Sequence, residues 1–243
     1  MRVTRIYYQD GLNDQESLTL SGQSGQHVAR VLRMRAGDEL ILFDGLGGEH
    51  RASIESVQGD KVQLSVLGHD AIEREAPVPV TLIQGVSRGE RMDWTIQKAT
   101  ELGVHRIVPV TSLRSMVKLK GDRAERRRGH WQQVAISACE QCGRNRVPQM
   151  GEPVSLEDGL AQVEAFALKL TLRADATMRI AQLPESPPEA CIAIGPEGGF
   201  DDREYQLLEQ AGFQGLRLGP RILRTETAGL AAMAALLSRW GDF

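Results

Sequence analysis

The sequence predicts an α/β protein: a mostly parallel sheet flanked by helices, preceded by a small β-barrel. Three observations carry this expectation. Residues 1–70 contain short segments that alternate apolar and polar at period two, the pattern of half-buried strands. From residue 76 to 243, apolar strand-like runs alternate with amphipathic helical segments, which argues for parallel β-α-β packing. Between the two, His69–Pro79 ("HDAIEREAPVP") is charged and closes on two prolines, the composition of a junction.

In the first region "DELILFDG" is an apolar strand ending in Asp44-Gly45, a hairpin signal. "EHRASIESV" and "KVQLSVLG" alternate cleanly, and "GLGGE" (Gly45–Glu49) reads as the turn before them. In the second region "VTLIQGV" is a buried strand, and "GERMDWTIQKATELGV" is an amphipathic helix closing at Gly103. "RIVPV" is a strand, and "GHWQQVAISACEQCG" is a helix that follows a basic patch. "EAFALKLTL" and "CIAIG" are strands, "DDREYQLLEQAGF" a helix, "LRLG" a strand, and "TETAGLAAMAALLSRW" a long final helix.

A chain of 243 residues with 41% hydrophobic content can bury a core. No apolar run approaches the roughly 20 residues of a membrane span, and "MRVTRIYYQDGLND" lacks the apolar middle of a signal peptide. Three cysteines do not make a disulfide framework, so the chain reads as cytoplasmic and reduced. Net charge is −3, but residues 111–150 carry +6 and residues 151–243 carry −6. Such asymmetry fits either a face for a polyanion or a solvated helix surface.

Ligands of open parallel sheets sit beyond the carboxyl ends of the strands. Three such ends carry unusual loops: "LTLRADA" after Leu172, "IGPEGGF" at Gly195, and "RLGPRILRTETA" from Leu218 on. "GPEGGF" has no lysine and no G-x-G-x-x-G spacing, which excludes a phosphate loop and a dinucleotide fingerprint. Glu197 suits a ribose hydroxyl, a cationic ligand, or the capping of the helix that opens at Asp201-Asp202. Arg221 and Arg224 precede a helix that Thr225 could cap, with Glu226 in its first turn; they form an anion site or pair with the acidic C-terminal third. Cys139 and Cys142 end a helix and lack a second pair, so they read as buried thiols, with no metal expected.

Four stretches, "SRGERMDWTIQKATELGV", "ACEQCGRNRVP", "IGPEGGF" and "LGPRILRTETA", occur together in this order. With them the chain resembles, over essentially its whole length, the bacterial small-subunit ribosomal RNA uridine-N3 methyltransferases of the SPOUT superfamily. The resemblance implies a PUA-like barrel at 1–70, a trefoil-knot domain at 76–243, bound S-adenosylmethionine, and a homodimer with its active site near the subunit interface. It implies that Leu172, Gly195, Glu197, Gly198, Gly199, Leu218, Gly219, Leu223 and Thr225 surround the cofactor. Arg224, Arg221 and Glu226 are the expected catalytic set, with Glu197 a further candidate base. Arg114, Lys118, Arg126, Arg127, Arg128, Arg30 and Arg33 are expected on ribosomal RNA phosphates, and Arg144 and Asn145 near the target nucleotide. A catalytically inactive RNA-binding assembly factor of the same fold is the rival; cofactor binding separates the two.

Overall fold

The computed structural model describes residues 3–12, 15–115 and 119–243. The chain splits into two compact units: Met1–Glu75 with Cys139–Val147, and Ala76–Ala138 with Pro148–Phe243.

In the first unit, β1 (Thr4–Tyr7), β2 (Ser17–Leu20), β3 (Glu39–Phe43), β4 (Glu49–Gln58) and β5 (Lys61–Asp70) form one sheet in the order β1-β3-β4-β5-β2. β1 pairs with β3 in parallel, and the other pairs are antiparallel. A short helix, α1 (Gly22–Gln26), continues into a π-helical turn at His27–Val31. The alternation seen in the sequence places Leu40, Leu42, Ala52, Ile54, Val62 and Leu64 in one core, each at most 2% exposed. Register shifts at Arg51/Ala52 and Ile54/Ser56 mark bulges, which increase strand twist. The β3–β4 connection is longer than a two-residue hairpin. The Asp44 carboxylate accepts the Leu46 N–H at 3.0 Å, and Gly47 and Gly48 follow at φ of 112° and 68°.

The charged junction is stitched to this unit. Arg74 donates to the Glu49 carboxylate at 3.0 Å and to the Gly143 carbonyl at 2.9 Å. Arg144 donates through Nε to Glu75 at 3.0 Å, and Arg146 pairs with Glu73 at 3.5 Å. Arg144 and Asn145 were expected near the target nucleotide. Both are buried, at 4% and 0% exposure, and the Asn145 amide donates to the Ile72 carbonyl at 2.7 Å. Burial alone would lower the Arg144 pKa, but the hydrogen bonds and charge of Glu75 outweigh it and raise it. These side chains hold the junction.

The second unit contains β6 (Val80–Gly85), α2 (Glu90–Glu101), β7 (Arg106–Thr111), α3 (Asp122–Cys142, whose last four residues group with the first unit), β8 (Gln149–Met150) and β9 (Val154–Ser155). After these come α4 (Leu156–Ala161), β10 (Leu168–Leu172), β11 (Ala190–Ile194), α5 (Asp202–Gln210), β12 (Gln214–Leu216) and α6 (Thr225–Arg239). The sheet order is β12-β10-β11-β6-β7-β8, with β9 also on β7, and every pairing is parallel. β6 and β11 are buried at every position, as central strands covered on both faces must be.

Two sequence assignments shift. Arg123 and Arg126–Arg128 of the basic patch lie inside α3, which starts at Asp122. "LRLG" is not a strand: pairing ends at Leu216, so Arg217–Gly219 already belong to the loop.

Removing Arg144 strands the Glu75 carboxylate against buried groups. Arg144→Ala is expected to cost about 2–4 kcal/mol in denaturant unfolding, a little under the roughly 3–5 kcal/mol for breaking a fully buried pair because the Glu75 side chain is 22% exposed. A change below about 0.5 kcal/mol would remove this ion pair from the architecture.

Candidate functional site

β12, β10 and β11 are neighbours in the sheet and run parallel. Their carboxyl ends therefore open on the same side, and the three loops singled out in the sequence meet there. They line a cavity of about 520 Å³. Leu172, Gly195, Glu197, Gly198, Gly199, Leu218, Gly219, Leu223, Thr225, Arg221 and Arg224 all contribute to its wall. Glu226 does not; it sits half-buried in the first turn of α6.

The Gly195–Phe200 turn is compact because Gly195 carries no side chain. A Cβ there would lie 2.7 Å from the Phe200 nitrogen. Gly199, at φ 67°, donates its N–H to the Pro196 carbonyl at 2.8 Å and closes the turn. On the adjacent strand, a Cβ on Gly85 would lie 2.3 Å from the Pro196 nitrogen, so the loop passes directly over the end of β6.

The readings left open for Glu197 are narrowed by its partners. Its carboxylate accepts the Arg88 backbone N–H at 2.9 Å and an Arg91 guanidinium N–H at 3.1 Å. Burial pushes its pKa up, but these hydrogen bonds and the Arg91 charge prevail and hold it below the usual carboxylate value. Helix capping belongs instead to Asp201, which accepts the Glu204 N–H at 2.8 Å while Glu204 returns a bond to the Asp201 N–H at 2.9 Å.

Thr225 is not a cap either. Arg224 occupies the cap position of α6 with extended backbone and no side-chain cap. The Thr225 hydroxyl donates to the Gly195 carbonyl at 2.6 Å and accepts from the Gln84 amide at 3.0 Å. The Gln84 amide also donates to the Gly85 carbonyl at 3.0 Å. One buried hydrogen-bonded chain thus joins β6, the 195 loop and the start of α6. Gln84, fully buried, is a residue that sequence reasoning missed; a lone glutamine in an apolar run was the available signal.

The two arginines differ from the other cations of the cavity. Arg221 and Arg224 are exposed, and no carboxylate pairs with them among the described residues. Arg173, also missed, is tied down: it donates to Asp175 at 2.8 Å and to Glu209 at 2.9 Å, and it lies 4.8 Å from the centre of the Tyr205 ring.

Of the expected RNA contacts, Arg126, Arg127 and Arg128 are exposed along α3, with Arg128 Nε donating to the Met150 carbonyl at 3.1 Å. Arg30 and Arg33 are exposed in the first unit. Arg114, also exposed, donates to the Gly198 carbonyl at 3.0 Å and braces the cavity loop. Lys118 lies outside the described residues. Cys139 is buried, and burial pushes its thiol up to about 12, as suits an inert core cysteine. Among the described residues no group of side chains could hold a metal, and no helix is long and apolar enough to cross a membrane.

Comparison with known proteins agrees with this geometry. Residues 74–237 match the RNA methyltransferase domain family, and residues 20–67 match the RNA methyltransferase PUA domain. The small-subunit ribosomal RNA methyltransferase E of Buchnera aphidicola (from Schizaphis graminum) is 33% identical, covering 99% of this chain and 98% of that protein. A crystal structure of the Neisseria gonorrhoeae methyltransferase E bound to S-adenosyl methionine is 38% identical over 100% of both chains, with a TM-score of 0.94. A Legionella pneumophila methyltransferase in complex with the same cofactor is 39% identical over 98% of both chains, also at 0.94. The architecture is accordingly that of the SPOUT α/β trefoil-knot fold with an N-terminal PUA-like domain, and the chain belongs to the RNA methyltransferase family of the small-subunit ribosomal RNA methyltransferases E.

Proposed function

We propose that this protein is an S-adenosylmethionine-dependent methyltransferase that acts on N3 of a uridine in small-subunit ribosomal RNA. The observation that carries the reading is the cavity at three adjacent strand ends with two unpaired guanidinium groups at its mouth. The residues fit the cofactor. A cavity of about 520 Å³ matches a small-molecule pocket, Leu172, Leu218 and Leu223 supply apolar walls, and the glycine turn offers backbone groups at close range. When bound, S-adenosylmethionine supplies an electrophilic methyl group to an in-line displacement.

The chain's own task is alignment and charge control. N3 lies on the pairing edge of uridine, so the base is presented unpaired, and its N3 proton has to leave. Arg224 stabilises the negative charge that then spreads over the flanking carbonyl oxygens. Arg221 takes an anionic group, either the cofactor's carboxylate or an RNA phosphate. Glu226, half-buried and two residues from Arg224, is the remaining carboxylate candidate for the proton. Glu197 is held ionised and engaged by Arg88 and Arg91, which suits it to positioning the loop and makes it a poor base. Exposed Arg126, Arg127, Arg30 and Arg33 serve RNA phosphates, which are recognised by charge and shape. A homodimer belongs to the same reading; Ile222 in the cavity loop is 91% exposed and available for such a contact.

Methylating purified small ribosomal subunits with labelled cofactor and digesting them to nucleosides tests the reaction. N3-methyluridine is expected by mass spectrometry; methylation of a ribose or of a base carbon instead would overturn the site assignment. Arg224→Ala is expected to keep cofactor affinity within a few-fold by calorimetry while turnover falls about 100- to 1000-fold. Glu197→Gln is expected to leave the acidic limb of the pH–rate profile in place. A carboxylate already shifted below its usual value is ionised throughout neutral pH, so that limb belongs to another group. Thr225→Val, which removes one hydroxyl at constant volume, leaves the Gly195 carbonyl without its donor. It should cost about 1–3 kcal/mol of stability and weaken cofactor binding, with Thr225→Ser restoring both.

A further inference from the structure

A second cavity of the same unit opens between α5, the start of α4 and the turn that follows β7, and measures about 550 Å³. β7 runs parallel to β6, and β6 to β11, so this turn leaves the sheet at the same end as the loops of the methyl-transfer cavity. Arg203, Gln206, Leu207 and Gln210 line the second cavity at i, i+3, i+4 and i+7, which is one face of α5. Asp202 and Tyr205, on another face of the same helix, line the methyl-transfer cavity.

The turn after β7 holds an apolar side chain in the open. The Ser115 hydroxyl accepts the Ser112 N–H at 2.9 Å, and Ser115 donates its own N–H to the Ser112 carbonyl at 3.0 Å. The Leu113 N–H goes at 2.8 Å to the carboxylate of Glu204, a residue only 3% exposed. Leu113 itself is 69% exposed and lines the cavity with Leu207. A scattered surface leucine needs no explanation, but one fixed by three hydrogen bonds at a cavity wall offers a defined apolar contact. Arg114 follows directly and braces the Gly198 carbonyl, so the same turn serves both cavities.

The polar wall is mixed in sign. Glu157 of α4 and Arg203 of α5 both line the cavity, yet neither forms an ion pair among the described residues. Gln206 and Gln210 add two amides, each without a hydrogen-bond partner among the described residues. Together these groups offer both donors and acceptors. An anion such as a phosphate is opposed by Glu157 and Glu204, and a cation by Arg203. A neutral, flat group with apolar faces and a mixed edge satisfies the whole wall, and a nucleobase is such a group. Unpaired RNA bases are held in this way, stacked on guanidinium planes and hydrogen-bonded at their edges.

We propose that this cavity holds an unpaired base of the RNA strand flanking the methylated nucleotide, with Leu113 and Leu207 against its face and Gln206 and Gln210 at its edge. The proposal rests on the RNA methyltransferase reading above. A base held there fixes the strand across α5 and so sets the target nucleotide over the larger cavity.

Two measurements on the full-length protein test it. A benzophenone amino acid placed at Gln210 is photolysed on purified small subunits, and the crosslink is mapped by reverse transcription. It is expected within about three positions of the methylated nucleotide, because one helix about 10 Å across separates the cavities. The double variant Gln206→Ala/Gln210→Ala, altered only at exposed side chains, is compared with wild type. Its KM for small subunits should rise at least about tenfold with kcat within about twofold. Cofactor affinity and melting temperature should not change. The slope of log affinity against log salt should stay as in wild type, since no phosphate contact is lost. With wild type methylating the subunits, a crosslink to distant nucleotides or to none, a smaller rise in KM, or a reduced salt slope overturns the proposal. If wild type transfers no methyl group to small subunits, the parent reading fails instead, and this proposal falls with it.

Discussion

The Thr225 hydroxyl is the point on which the site depends. It lies between the Gly195 carbonyl and the Gln84 amide, so three segments far apart in sequence are fixed to one oxygen atom. The next residue back is Arg224, which occupies the cap position of α6 and lines the cavity. A displacement of this bond moves the floor of the cavity and the candidate catalytic guanidinium together. The bond is also buried, and in a low-dielectric setting it is stronger when made and costlier when broken.

Around that anchor, charge is divided between groups that hold the structure and groups left open. Glu197, Arg91, Arg114 and Arg173 are spent on the loops themselves, through carboxylate–guanidinium pairs or bonds to backbone carbonyls. Arg221 and Arg224, and on α3 Arg123 and Arg127, keep no carboxylate partner among the described residues. Unpaired cations are what a polyanionic strand with an ionising base would meet. The net charge of −3 hides this, because residues 111–150 carry +6 while the segments on either side are acidic.

Much of the fold was legible in the sequence. β6 and β11 were recoverable as continuous apolar runs, and α2, α5 and α6 as periodic segments bounded by glycine or acidic residues. The three loops were legible as Gly-Pro or polar breaks directly after strands. Individual roles were harder to read. Arg144 and Asn145 read as donors in a loop next to the sheet, and they are buried against Glu75 and Ile72, more than sixty positions away. "LRLG" looked like a strand by alternation, but only Leu216 has a strand partner, so pairing and not pattern set its end. Thr225 has the composition of a cap and spends its hydroxyl on Gly195 instead.

By itself the sequence determined what local physics determines: which segments are strands and helices, where the chain turns, and that three loops leave apolar strands with unusual chemistry. The strand order β12-β10-β11, which sets those loops side by side, was decided by tertiary structure. So was the choice of which cations remain unpaired among the described residues. The reason is physical. Periodicity reports which face of an element is apolar, but a hydrogen bond or an ion pair needs both partners in place, and distant partners meet only when the chain is packed.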